Sequence, residues 1–81
     1  MSVNSIICES KWSYVAFHHH GSVLLTFVVG GVGEVDYSVQ LTEQEINNIS
    51  LMPSNAAMLV DFFTAEPEAL KARQLAVVVW P

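Results

Sequence analysis

The stretch from Val23 to Leu41 limits the fold more than any other part of this chain. It reads VLLTFVV, then GGVG, then EVDYSVQL. The first run is apolar at every position but Thr26. No alternation sets a face aside for water, so it belongs in the middle of a sheet, covered on both sides or packed at an interface. The second run alternates. Val35, Tyr37, Val39 and Leu41 fall on one face; Glu34, Asp36, Ser38 and Gln40 fall on the other. A period of two residues is the signature of a strand with one buried face and one wet face, here an acidic one. Gly30, Gly31 and Gly33 supply the turn of a β-hairpin between the two runs.

The remaining residues must cover that hairpin. Val3 to Cys8 reads as a short strand, and Glu9-Ser10-Lys11 as a polar turn. Strand character resumes from Trp12 to His19, with Trp12, Tyr14 and Ala16 on one face and Ser13, Val15 and Phe17 on the other. His20-Gly21-Ser22 forms the next turn, because glycine adopts positive φ at little cost. Four antiparallel strands in chain order, a meander, is the simplest assembly.

After Leu41 the apolar period lengthens to about 3.6 residues. Thr42-Glu43-Gln44-Glu45 is a capping-box pattern opening a helix. Ile46, Ile49 and Met52 form its apolar stripe, and Pro53 ends it. Ser54 is the expected cap of a second helix through Ala56, Ala57, Met58, Leu59, Val60, Phe62 and Phe63. Pro67 suits the first turn of a third helical piece reaching Gln74, with Glu68 early and Lys71 and Arg73 late, as the helix dipole favours. Whether 54–74 is one kinked helix or two stays open. Leu75 to Trp80 is β-branched and is expected to pair back into the sheet. The fold class is therefore α+β: one domain, residues 1–81, with an antiparallel sheet of four to five strands and the helices packed on one face.

The chain is 52% hydrophobic and 14% charged, against a typical charged share of about 25%. A domain of 81 residues buries only about 60% of its unfolded surface, so this apolar content points to an interface with a partner or with itself. The apolar run from Val23 to Val32 is about half the roughly 20 residues of a spanning helix. The N-terminus carries no basic segment followed by an apolar one, so no signal peptide is read. Cys8 is the lone cysteine and cannot form an intrachain disulfide. A cytoplasmic protein is the expectation.

Three basic residues, Lys11, Lys71 and Arg73, stand against eight acids. None lies between Trp12 and Leu70, where Glu34, Asp36, Glu43, Glu45, Asp61, Glu66 and Glu68 all fall. Such a field repels nucleic acid and anionic membranes and attracts a basic protein. Glu34, Asp36, Glu43 and Glu45 are candidates for one acidic surface, and Trp12, Tyr37 and Trp80 for its aromatic anchors. Trp80 is the aromatic expected to be partly exposed or docked on a partner.

The catalytic patterns are weak. His18 and His20, about 7 Å apart if both lie on one strand face, suggest a metal, but no second ligand cluster exists and a polar hairpin end is the simpler reading. The three imidazoles could sense mildly acid pH, with nothing further to support it. Gly30-Gly31-Val32-Gly33 has no Lys-Ser/Thr pair and no helix after it, so it does not read as a phosphate loop. Cys8 beside Glu9 reads as a structural thiol rather than a nucleophile. Glu34 and Asp36 read as a solvated pair rather than an acid and base.

These features together lead to a non-enzymatic binding protein with no cofactor and no metal. The leading expectation is a small acidic inhibitor of a basic protein, a toxin or other effector held as a heterodimer. Bacterial immunity proteins and antitoxins that neutralise nucleases have this profile. The alternative is a homo-oligomeric structural or adaptor domain in which Val23–Val29 or Leu75–Trp80 pairs across a two-fold axis, a possible homodimer.

Overall fold

A computed structural model describes residues 5–10, 13–29 and 35–81. Within these, four strands precede three helices: β1 (Ile6–Ser10), β2 (Tyr14–His19), β3 (Ser22–Val29), β4 (Val35–Gln40), α1 (Glu43–Leu51), α2 (Asn55–Ala65) and α3 (Pro67–Arg73). The sheet order is β1-β2-β3-β4, all antiparallel, the expected meander. Val3, Lys11, Trp12, the glycine connection and Glu34 lie outside the described residues.

Local chemistry sets the joints. His20 and Gly21 both take positive φ, 48° and 82°, between paired His19 and Ser22. Such a two-residue turn matches the twist of the strands it joins. β1 runs to Ser10, so Glu9 and Ser10 belong to the strand rather than to a turn. A bulge between Ile6 and Cys8 shifts the β1–β2 register by one residue. At α1 the capping box is complete: the Glu45 amide donates to Thr42 Oγ1 at 3.2 Å, and the Thr42 amide donates to Glu45 Oε1 at 2.8 Å. Ser54 does not cap α2; its backbone is already helical and its hydroxyl makes no capping bond. Instead Asn55 Nδ2 donates to the Asn48 carbonyl at 2.9 Å, which ties the start of α2 to α1. Pro67 splits the remaining segment into α2 and α3.

The helices pack on one face of the sheet. Ala16, Leu25, Phe27 and Val39 meet Ile49, Ala56, Val60, Phe63 and Leu70 there, with Phe27 and Phe63 nearly parallel at 6.0 Å. β3 is interior and apolar on its other face too, and that face is covered by the C-terminal segment. Val15, Phe17 and Leu24 are buried beneath Leu75 and Val79. Each such side chain removed from water contributes about 1.5–3 kcal/mol.

This changes two expectations. Leu75–Trp80 forms no strand. Gln74 makes one antiparallel bridge to Val39, and the Leu75 amide donates to the Ser38 carbonyl at 2.8 Å. The chain then leaves the edge of β4 and crosses the sheet face, because that is where uncovered apolar surface remains. For the same reason the face carrying Asp36, Ser38 and Gln40 is not wet throughout: Ser38 is fully buried and Asp36 half-buried, and only Gln40 is exposed.

Two hydroxyls anchor the crossing. Thr26 and Ser38, opposite each other on β3 and β4, are both fully buried, 2.6 Å apart. The Val79 amide donates to Ser38 Oγ at 3.0 Å, and the Thr26 hydroxyl donates to the Val79 carbonyl. With the Ser38 proton directed to Thr26 Oγ1, these bonds close a ring in which every buried polar atom is satisfied. The ring fixes which residue of the tail sits at the centre of the sheet. A buried group left without its partner costs about 1–3 kcal/mol, whereas replacing both partners with apolar groups costs less. Ser38→Ala should therefore lower the melting temperature by roughly 4–8 °C per kcal/mol lost. The pair Thr26→Val with Ser38→Ala should lose less than the sum of the single changes. Strict additivity in thermal melts would show that the hydroxyls act separately.

Candidate functional site

Arg73, in the last turn of α3, joins four elements. Its Nη1 donates to Glu45 Oε2 at 2.8 Å and its Nη2 to Glu45 Oε1 at 2.7 Å, a fork onto α1. Nη2 also donates to the Gln40 carbonyl at the end of β4. The guanidinium carbon lies 5.4 Å from the centre of the Phe63 ring on α2. Two-pronged recognition combined with stacking on a ring is what arginine does and lysine does not. The Arg73 hydrogen bonds hold the Glu45 carboxyl below its ordinary value, against a smaller upward push from burial, with Thr42 assisting.

Beyond this ion pair, α1 and α2 form an open groove of about 390 Å³ lined by Glu45, Asn48, Asn55, Met58 and Leu59. Met58 stands exposed in it, with Phe62 one helical turn farther along α2, and Leu51 and Met52 are exposed at the α1–α2 corner. Leu51 is 84% exposed and Met58 66%. Among the described residues Arg73–Glu45 is the one ion pair, so the exposed acids Glu43, Asp61, Glu66 and Glu68 make none.

The expected site residues are thus distributed. Glu34 and Trp12 lie outside the described residues. Asp36 faces the tail side of the sheet, where its Oδ2 accepts from Trp80 Nε1 at 3.0 Å. Trp80 is partly exposed, at 45%, and that bond ties it to its own sheet. Tyr37 is half-buried on the helix side, 6.1 Å from Phe27 between ring centres. Glu43 is exposed at the start of α1, and Glu45 belongs to the Arg73 cluster. Asp36 and the α1 acids therefore occupy opposite layers of the molecule. The exposed stripe of Met58 and Phe62 went unread in the sequence, although α2 carries a signal for it. Ala56 to Phe63 is apolar at seven of eight positions, more than one face of a helix can hide.

The histidines do not share a strand face. His18 remains in β2, whereas His20 has entered the turn, and its ring lies against that of His19 at 4.2 Å. Among the described residues no group of three His, Cys, Asp or Glu side chains is placed to hold a metal ion. Cys8 packs at the edge of the main core, and burial pushes its thiol above the ordinary range. Among the described residues no helix is long and apolar enough to cross a membrane. Compared with protein-family models, curated proteins and solved structures, the chain finds no match.

The lowered Glu45 carboxyl links stability to pH. A group whose folded value lies below its unfolded one stabilises the fold above the ordinary carboxylate range, and that contribution fades as pH falls through the folded value. Glu45→Gln keeps the capping geometry, since glutamine also serves at that position, and removes only the charge. The partners are partly exposed, so the wild type should be more stable at neutral pH by about 0.5–1 kcal/mol. The gap should close in acid, as pH falls through the lowered folded value of Glu45. Urea melts at neutral and at acid pH measure this. A gap that stays constant would assign the role of Glu45 to the cap alone.

Proposed function

We propose that this chain is a non-enzymatic binding protein that covers a basic protein and inhibits it, in the manner of a bacterial immunity protein or antitoxin. The observation that carries this reading is the outer surface of the helical layer. Exposed Leu51, Met52, Met58 and Phe62 stand there among acids without cations. Apolar anchors with a charged surround are how protein interfaces are built: the anchors supply affinity, and the field speeds encounter and rejects wrong partners. The net charge of −5 adds a long-range attraction for a cationic surface. The groove between α1 and α2 is open, with Met58 mostly exposed, unlike the enclosing pockets that bury most of a small molecule.

The acidic face proposed here is not the one drawn from the hairpin. Asp36 is engaged with Trp80 and Glu45 with Arg73, so the acids available to a partner are Glu43, Asp61, Glu66 and Glu68. The self-association alternative has less support, because β3 has both edges occupied by β2 and β4 and Leu75–Trp80 is not a strand.

Affinity capture from the native host, with the tag at the N-terminus away from Trp80, should recover one stoichiometric basic protein released by high salt. Glu43→Lys with Asp61→Lys, both at exposed positions, should weaken its binding by at least about tenfold. The melting temperature should fall only by the small amount that a cation in the first turn of α1 costs. Recovery of the chain alone, with a dimer mass by light scattering, would overturn the proposal in favour of a homo-oligomer.

A further inference from the structure

We propose that the α1–α2 groove receives one amphipathic α-helix of the partner, apolar on one face and carrying Lys or Arg on its flanks. This rests on the basic-partner reading above and specifies how the partner is held.

Residues three and four apart on a helix stack along one face. Glu45 and Asn48 form such a line on α1, and Asn55 with Met58 and Leu59 forms one on α2. These five residues line the groove. An open channel between two helices is where the side-chain ridge of a third helix packs. Met58 is largely exposed in it, and Phe62, one turn farther along α2, is half-exposed.

Backbone hydrogen bonding excludes an extended segment. An occupant loses water from its own amides and carbonyls as it docks. A strand would need a free sheet edge to replace that water, and this groove has none. Its walls are helices whose backbone bonds are internal. The Asn48 carbonyl beside it already accepts from the Met52 amide at 3.0 Å and from Asn55 Nδ2. A helix brings its own hydrogen bonds and needs only apolar contact, the arrangement in which an amphipathic helix lies in a hydrophobic groove. Methionine suits such a wall because its unbranched thioether adapts to the side chain placed on it.

The charges on these helices select the sign of the occupant. Between Glu43 and Ala65 every charged side chain is acidic: Glu43, Glu45 and Asp61. Glu45 is balanced by Arg73, which leaves Glu43 on the outer part of α1 and Asp61 one turn from Met58 to meet cations. A second copy of this chain would bring the same acids against themselves, so a cationic occupant is favoured over self-pairing.

The test uses the full-length chain, isotope-labelled, and a probe peptide of leucine and lysine with leucines at helical spacing. It is roughly 18 residues, long enough for about five turns. A second peptide of the same composition and charge has two central residues replaced by their D-enantiomers, which prevents the helix. The all-L peptide should shift backbone amide signals of residues 45–62 and bind at least about tenfold more tightly than the D-containing one. Met58→Gln with Phe62→Gln should remove that preference while a cooperative melt shows that the fold persists, with some stability lost because the Phe62 ring packs edge-on against Phe63 at 5.4 Å; Met58→Leu should retain the preference. Equal, salt-sensitive binding of both peptides would overturn the groove while leaving the attraction of the acidic surface for a basic protein in place. Signal shifts confined to β1 or to residues 75–81 would overturn it too. Binding of neither peptide would overturn it and remove the charge complementarity on which the earlier reading stands. A doubled mass of the free chain that Phe62→Gln abolishes would assign the groove to a second copy instead.

Discussion

The two-sided burial of β3 is the constraint on which the rest of this structure depends. A strand whose alternate residues are Val23, Leu25 and Phe27 on one face and Leu24 and Thr26 on the other has no face to give to water. It must have a neighbour along each edge and a layer over each face. The meander supplies the neighbours. The three helices supply one layer, and among the described residues the segment after α3 supplies the other. Helix and tail are therefore not equivalent covers. The helices bring a broad apolar surface with internal backbone bonds, whereas the tail brings two apolar side chains and a backbone that needs partners. The Thr26–Ser38 pair provides them, which explains two buried hydroxyls in an otherwise apolar layer.

Arg73 has a comparable place in the helical layer. Its position in the last turn of α3 suits the negative end of the helix dipole, and from there it reaches Glu45, the Gln40 carbonyl and the Phe63 ring. One guanidinium thus ties the start of α1, the end of β4 and the interior side of α2 to α3. The consequence for the surface is electrostatic. With this cation committed internally, the exposed acids of α1 and α2 are left uncompensated, and the field they create is available to another molecule.

That field coincides with exposed apolar side chains. Single exposed leucines are common on protein surfaces, but Leu51, Met52, Met58 and Phe62 come from one corner and one helical stripe. Ile49, Ala56, Val60 and Phe63 fill the core beneath. The same two helices therefore serve the fold on their inner faces, and the apolar side chains left on their outer faces are what the proposed binding role rests on.

The local grammar of this protein was written in its sequence. The alternation in Val35–Leu41, the helical period after it, the Thr42–Glu45 capping box, the turn at His20-Gly21 and the break at Pro67 all act over a few residues, and short-range sterics and hydrogen bonds decide them. The α+β class followed from the switch of period. Long-range competition was not written there. Leu75–Trp80 has a strand's composition, yet it lies across the sheet as a cover, because the uncovered face beside Phe17 gained more from burial than the β4 edge gained from further pairing. Ser38 looked wet by its period and became buried for the same reason. Of the candidate site, the acids were legible as charges, but their partners were not. Only the tertiary structure decided that Glu45 meets Arg73 across 28 residues and Asp36 meets Trp80 across 44, and so which acids remain free to act on another molecule. Sequence determines what each segment is able to become; the packing of all segments around one doubly apolar strand determines which surfaces are left over.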